Sequence, residues 1–268
     1  MQRREDHYPF VVAGLYKESP LDADKEKVFL WTRPQQDAAQ LHQSADALVR
    51  AIKAYDATFG SRGQNSSPLW LVECPIVAGC FATADSSYAN LLSAKPGEVS
   101  SELAANDTSM IDFSGGPSEL AVAAPSLAAS WLGYGKNPGF YQQQPPLSAL
   151  PAFASALGQE AIGGPSVRTE TIRRALRMIP SSAEAHTLEN DDVLRAKSFL
   201  FFYALQERFG RDVFSRAISH MLSARRERGF NLSDLIAAVE QESNQNVAQF
   251  VRLWMKHPGV PEEFRERY

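Results

Sequence analysis

Cysteine is scarce in this sequence: Cys74 and Cys80 are the two copies in 268 residues. Two cysteines do not make a disulfide scaffold, and the five residues between them are not a zinc-ribbon spacing. Within V-E-C-P-I-V-A-G-C they read as two buried thiols, with a single disulfide as the alternative in an exported protein. Basic charge is not in excess either. The formal net charge is -4, which argues against a nucleic-acid partner, because such binders carry a basic surface. The cluster Arg225, Arg226 and Arg228 reads as a solvated helix face. No apolar run reaches the roughly 18 residues that a membrane helix needs. The opening M-Q-R-R-E-D-H-Y-P-F has charge with no apolar stretch behind it and is not a signal peptide.

Paired histidines are missing as well. His7, His42, His186, His220 and His257 each stand more than thirty residues from the next, so the sequence holds no local metal-ligand pair. Serine chemistry lacks its signature too. Ser126 lies in A-P-S-L-A, which is not the G-x-S-x-G turn that presents a nucleophile.

What is present is a change of periodicity along the chain. Phe10–Tyr16 and Lys27–Thr32 are strand candidates. Leu41, Ala45, Leu48, Ile52, Tyr55 and Phe59 then fall on one helical face, and Gly60 is placed to end that helix. Leu69–Glu73 is a short buried strand, and another strand is expected near Ser109–Phe113. After the turn Gly115–Ser118, an Ala-rich helix runs to about Leu132, and residues 133–148 form a loop. The last 120 residues are all helical in pattern. Phe199–Leu205 is apolar all round and predicts a buried helix, with Gly210 after it. Val213, Ala217 and Met221 form one row on the next helix, and Phe214, Ile218 and Leu222 the row beside it. Ser233 with Asp234 is expected to cap a further helix. A last helix carries Val247, Phe250, Val251 and Trp254 and ends at Pro258-Gly259. The string G-G-P-S occurs at 115 and 163, each a candidate helix start because proline suits a first turn.

Three strings stand out in this order: Y-D-A-T-F-G at Tyr55–Gly60, L-W-L-V-E-C-P from Leu69, and Trp131-Leu132-Gly133 closing the Ala-rich helix. Near the end come F-V-R-L-W at Phe250–Trp254 and P-G-V-P at Pro258–Pro261. Taken together they resemble the aminopeptidase-N-like gluzincin family of thermolysin-like zinc metallopeptidases, over nearly the whole chain. The resemblance implies an α+β, two-lobed zincin domain. Its mixed-sheet lobe would span 1–135 and end in a degenerate zinc helix, and its all-helical lobe would span 136–268. In that family a β-rich domain precedes the catalytic one. The charged stub Gln2–Asp6 is therefore expected to be a boundary, and the chain a segment of a longer protein.

The same resemblance implies where chemistry should be. The family's zinc helix carries two histidines four apart, with a general-base glutamate after the first. Aligned on W-L-G, those positions hold Pro125, Ser126 and Ala129. Proline and alanine have no ligand atom, and a serine hydroxyl is a poor base near neutral pH. The third ligand position falls on Pro151 in Leu150–Phe153, after a gap longer than the family pattern. The transition-state tyrosine position falls on Arg195. Proline inside a helix costs about 3 kcal/mol, a cost avoided if Pro125 sits in a first turn. The expectation is a catalytically inactive, peptidase-like domain with no zinc and no cofactor. It would be a scaffold, or would hold a peptide or protein segment in a vestigial groove, beside neighbouring domains of a longer chain. Trp131, Tyr134, Phe140 and Tyr141 are candidates for the groove rim, with packing against the helices as the other reading. The alternative function is an active peptidase or other hydrolase with ligands the sequence does not identify.

Overall fold

The computed structural model describes residues 15–24, 26–35, 37–62, 68–73, 108–111, 120, 124–132, 145–180, 191–225 and 230–268. Strand β1 (Lys17–Ala23) pairs antiparallel with β2 (Glu26–Thr32), placing Glu18 opposite Trp31 and Leu21 opposite Val28. Asp24 takes the left-handed backbone of the turn between them, at φ 57°. Strands β3 (Leu69–Glu73) and β4 (Thr108–Ile111) continue the sheet in parallel, giving the order β1-β2-β3-β4. A parallel pair needs a crossover, and between β2 and β3 that crossover contains helix α1 (Ala38–Phe59).

The strand expected at Phe10–Tyr16 falls largely outside the described residues, and β1 was not expected. Leu15 and Tyr16 precede β1, with Leu15 84% exposed, and Phe10–Gly14 lie outside the described residues. The actual strand reads K-E-S-P-L-D-A. An edge strand tolerates proline and charge because one side of its backbone pairs with nothing. Its polar composition therefore hid it.

Helix α1 behaves as its spacing predicts. The Asp37 carboxylate accepts from the Gln40 amide at 2.9 Å and caps the first turn. Leu48, Ile52, Tyr55 and Phe59 are buried, while Leu41 and Ala45 sit at the edge of the core. Gly60 ends the helix at φ 77°, a conformation that favours glycine.

Beyond the sheet, no strand occurs among the described residues. Helix α2 (Ala124–Leu132) is followed by a 3₁₀ turn at Leu147–Ala149 and by α3 (Leu150–Gly163). Next come α4 (Pro165–Arg177), α5 (Asp191–Phe209), α6 (Arg211–Arg225), α7 (Leu232–Ser243), α8 (Val247–Lys256) and α9 (Glu262–Arg265). The molecule is thus mixed α/β, with a small sheet followed by a helical region. No helix among the described residues is long and apolar enough to cross a membrane.

Local chemistry explains most of the helix boundaries. Pro165 starts α4, as expected for the second G-G-P-S, whereas the first copy lies outside the described residues. Gly210, at φ 95°, separates α5 from α6. The cap of α7 is a correction: it is Asn231, not Ser233. The Asn231 side chain accepts from the Asp234 amide at 3.1 Å, and the Asp234 carboxylate accepts from the Asn231 amide at 2.9 Å. Asp234 is thus the reciprocal partner in a capping box. Helix α9, a single turn after Pro261, was not anticipated.

The core centres on α5. Phe199 to Leu205 are all buried, as an all-apolar stretch requires. Phe153 of α3 stacks on Phe202 at 5.2 Å and meets Tyr203 and Phe214 edge-on at 5.1 and 5.6 Å. Helices α1, α2 and α3 pack on one another and join this core to the sheet.

Candidate functional site

Four of the five positions singled out by the resemblance, Pro125, Ser126, Ala129 and Pro151, fall on two helices that pack together, α2 and α3, and the fifth, Arg195, is on α5. Pro125 is the second residue of α2 as described. Ala129, one turn on, is 7% exposed. Pro151 is buried in the first turn of α3. Leu127, Ala128 and Leu132 on α2 are buried beside Ala129, as are Ala152, Phe153 and Ala154 after Pro151. These side chains carry no group that could bind a metal or move a proton.

The junction is fixed by two side chains of α1. The Tyr55 hydroxyl donates to the Ala124 carbonyl at 2.9 Å, at the start of α2. That carbonyl accepts from a ring otherwise sealed in the core, and burial pushes the Tyr55 hydroxyl far above its ordinary pKa. Gly158 of α3 makes room for the ring: a Cβ there would stand 1.9 Å from the Tyr55 oxygen and 2.7 Å from Cζ. At the other end of α2, the Trp131 indole donates to the Asp56 carboxylate at 2.8 Å. The Trp131 ring lies 5.2 Å from the ring of Tyr55 and beneath the Arg62 guanidinium at 5.4 Å.

Of the four aromatic residues expected at a groove rim, Trp131 alone is among the described residues, and it is buried at 2% exposure. Tyr134, Phe140 and Tyr141 lie outside the described residues, as do Cys74, Cys80, His7, His186, Arg226 and Arg228. Arg195 sits in the first turns of α5. Its guanidinium donates to the Asp192 carboxylate at 2.7 Å, three residues back on the same helix. Among the described residues, no three His, Cys, Asp or Glu side chains come together to hold a metal ion.

Two ion pairs tie the sheet region together, one sealed from solvent and one with its carboxylate alone buried, and neither was visible in the sequence. Glu26 and Arg62 are both sealed from solvent; the Arg62 Nε donates to Glu26 at 2.9 Å and its amide donates at 3.0 Å. Glu73, the glutamate of L-W-L-V-E-C-P, is fully buried and accepts from the Arg33 amide at 2.5 Å and from Arg33 Nε at 3.0 Å. The partners stand 36 and 40 residues apart, beyond the reach of any local spacing rule.

Lys197 is a further buried charge, two residues past Arg195. It donates to the carbonyls of Met255 and His257, where α8 ends, and so satisfies acceptors that a helix C-terminus leaves open. Burial lowers its pKa. No model of a known protein family matches the sequence, and no curated protein does.

Proposed function

We propose that this chain is a peptidase-like domain without peptidase chemistry, serving as a scaffold or as a module that binds a peptide or protein segment. In this reading the sheet with α1 and α2 corresponds to one lobe of a thermolysin-like domain, and the helices from α3 onward to the other. The observation that carries it is the α2–α3 contact. Ala129 and Pro151 stand where the resembled family has metal ligands, and both are packed into an apolar core. A zinc site needs three ligand side chains and an open position for water. Arg195, paired along its own helix with Asp192, has the role of a surface ion pair.

The test is direct. Untagged protein, dialysed and analysed for metals, is expected to hold no stoichiometric zinc. It is also expected to leave aminoacyl fluorogenic substrates intact when zinc is added. One zinc per chain retained against a weak chelator, or zinc-dependent turnover, overturns the reading in favour of an active hydrolase.

A further inference from the structure

The segment after α8 is held to the body by side chains. Lys197 binds the carbonyls of Met255 and His257 and so pins the end of α8. Pro258 and Gly259 follow, with Gly259 at φ 71°, a conformation that favours glycine. Residues 260–268 then meet three helices. Phe264 packs edge-on against Trp254 of α8 at 5.4 Å. The Tyr268 hydroxyl donates to the Glu207 carboxylate of α5, and the Arg267 guanidinium stands 3.2 Å from the same carboxylate. Arg173 of α4 donates to the Tyr268 main-chain oxygen at 2.8 Å. Arg265 donates to the carbonyls of Ile179 and Pro180, just past α4, at 3.0 and 3.2 Å.

The backbone bonds of this segment are internal. The Phe264 and Arg265 amides donate to the Pro261 carbonyl, Glu266 to Glu262, and Tyr268 to Arg265. Among the described residues, no backbone–backbone hydrogen bond joins residues 260–268 to the rest of the molecule. Helix α9 is a single turn, too short to be stable by itself. Val260 and Phe264, both buried, are the apolar anchors. The packing beneath them is incomplete. A pocket of about 340 Å³ lies between Ala204 of α5, Phe250 and Trp254 of α8, and Pro261, Phe264 and Arg267 of the segment.

We propose that residues 260–268 form a hinged strap, which swings open as a unit about Gly259 and turns this pocket into an open aromatic groove. A unit with internal backbone bonds and side-chain moorings leaves without breaking a helix or the sheet. Its opening therefore costs less than unfolding the molecule. A hinge concentrates the change at a few backbone positions, and Gly259 follows directly on the point that Lys197 holds fixed. Helix α8 stays in place when the strap leaves, because Trp254 also packs on Phe201 of α5 at 6.5 Å. Closed, the strap leaves Trp254 2% exposed; open, it bares Phe250 and Trp254 beside Leu253, which is already 63% exposed.

Two measurements on the full chain test this together: amide hydrogen exchange of the strap, and hydroxyl-radical labelling of Trp254 read by mass spectrometry. The amides of Phe264 to Tyr268 are expected to exchange at least about 100-fold faster than those of residues 199–205 in α5. Arg265→Ala, which removes both bonds to the carbonyls past α4, is expected to raise strap exchange and Trp254 labelling together, each about tenfold. Tyr268→Phe, which removes the bond to Glu207, should move both in the same direction by less, and it decides if Arg265→Ala fails to fold. Arg177→Ala, which breaks the exposed Arg177–Glu170 pair on α4, should change neither. Strap amides as protected as those of α5 overturn the proposal. So does strap exchange that rises while Trp254 labelling stays level, the mark of residue-by-residue fraying. Equal effects of the strap variants and Arg177→Ala overturn it as well.

Discussion

Around the sheet, paired charge is buried; in the helices from Leu147 onward, aromatic rings dominate the interior, with Lys197 a buried charge among them. The sheet region ties β2 and the end of α1 together through Glu26 and Arg62, and β3 to the end of β2 through Glu73 and Arg33. Its outer-face rings are half covered: Phe29 stacks on Trp70 at 4.8 Å, and Trp31 meets Trp70 at 5.4 Å. The helical region instead closes Phe153, Phe199, Phe201, Phe202, Tyr203 and Phe214 around α5 with almost no exposure. Burying rings stabilises in proportion to area and tolerates small shifts. A buried ion pair adds little net stability but fails badly when one partner is removed. The sheet region is therefore specified by geometry, and the helical region by volume.

Two truncations should separate these modes. Phe153→Ala removes a ring that touches Phe202, Tyr203 and Phe214, and a cavity there is expected to cost about 3–5 kcal/mol. Arg62→Met keeps most of the volume but leaves the Glu26 carboxylate buried with an amide as its main donor. Its cost is expected to be about 3 kcal/mol or more. Urea unfolding measures both. The distinguishing result is rescue: Phe153→Leu should recover much of the loss, whereas Arg62→Lys should recover little, because the Nε contact depends on a planar guanidinium. Full recovery by Arg62→Lys breaks the distinction.

The junction of α1, α2 and α3 belongs to both regions. Gly158→Ala is expected to cost about 1–3 kcal/mol, since its Cβ overlaps the Tyr55 hydroxyl and the ring must move. Because α1 also packs on the sheet-side strands, the shift should reach Trp131, whose indole is bound to Asp56. Tryptophan emission in the folded variant is the readout. A Gly158→Ala protein of unchanged stability and emission shows that the ring has room.

Much of this architecture was legible because apolar periodicity reports burial directly. The positions at Leu48, Ile52, Tyr55 and Phe59 gave α1, the run L-W-L-V-E gave β3, and F-L-F-F-Y-A-L gave the buried α5. Strand β1 was hidden because its pairing is made by backbone while its side chains are largely exposed. Asn231 escaped because Ser233 and Asp234 carry the same capping chemistry two and three residues later. In the candidate site, Pro125, Ala129 and Pro151 were singled out by the resemblance alone, through W-L-G and Leu150–Phe153.

The smallest expected effect separates two buried tyrosines. Tyr55 donates to the Ala124 carbonyl, whereas the Tyr203 hydroxyl is buried with no hydrogen-bond partner, its ring facing the Arg168 guanidinium at 4.5 Å. Removing a bonded hydroxyl leaves an acceptor unsatisfied, so Tyr55→Phe should cost about 1 kcal/mol at neutral pH. Removing an unpartnered one leaves nothing behind, so Tyr203→Phe should change stability by less than about 0.5 kcal/mol, or increase it. Burial pushes both hydroxyls far above the ordinary tyrosine range. A folded pKa above the unfolded one means the unfolded chain loses its protons first. The stability from both groups is therefore fully present below about pH 10 and is lost as pH climbs beyond it. Tyr203→Phe should accordingly move the alkaline unfolding midpoint upward while leaving neutral stability intact. Tyrosinate absorbance followed with circular dichroism tests this. A Tyr203→Phe protein that loses more than about 1 kcal/mol at neutral pH, or unfolds at lower pH than the parent, shows that the hydroxyl is satisfied after all.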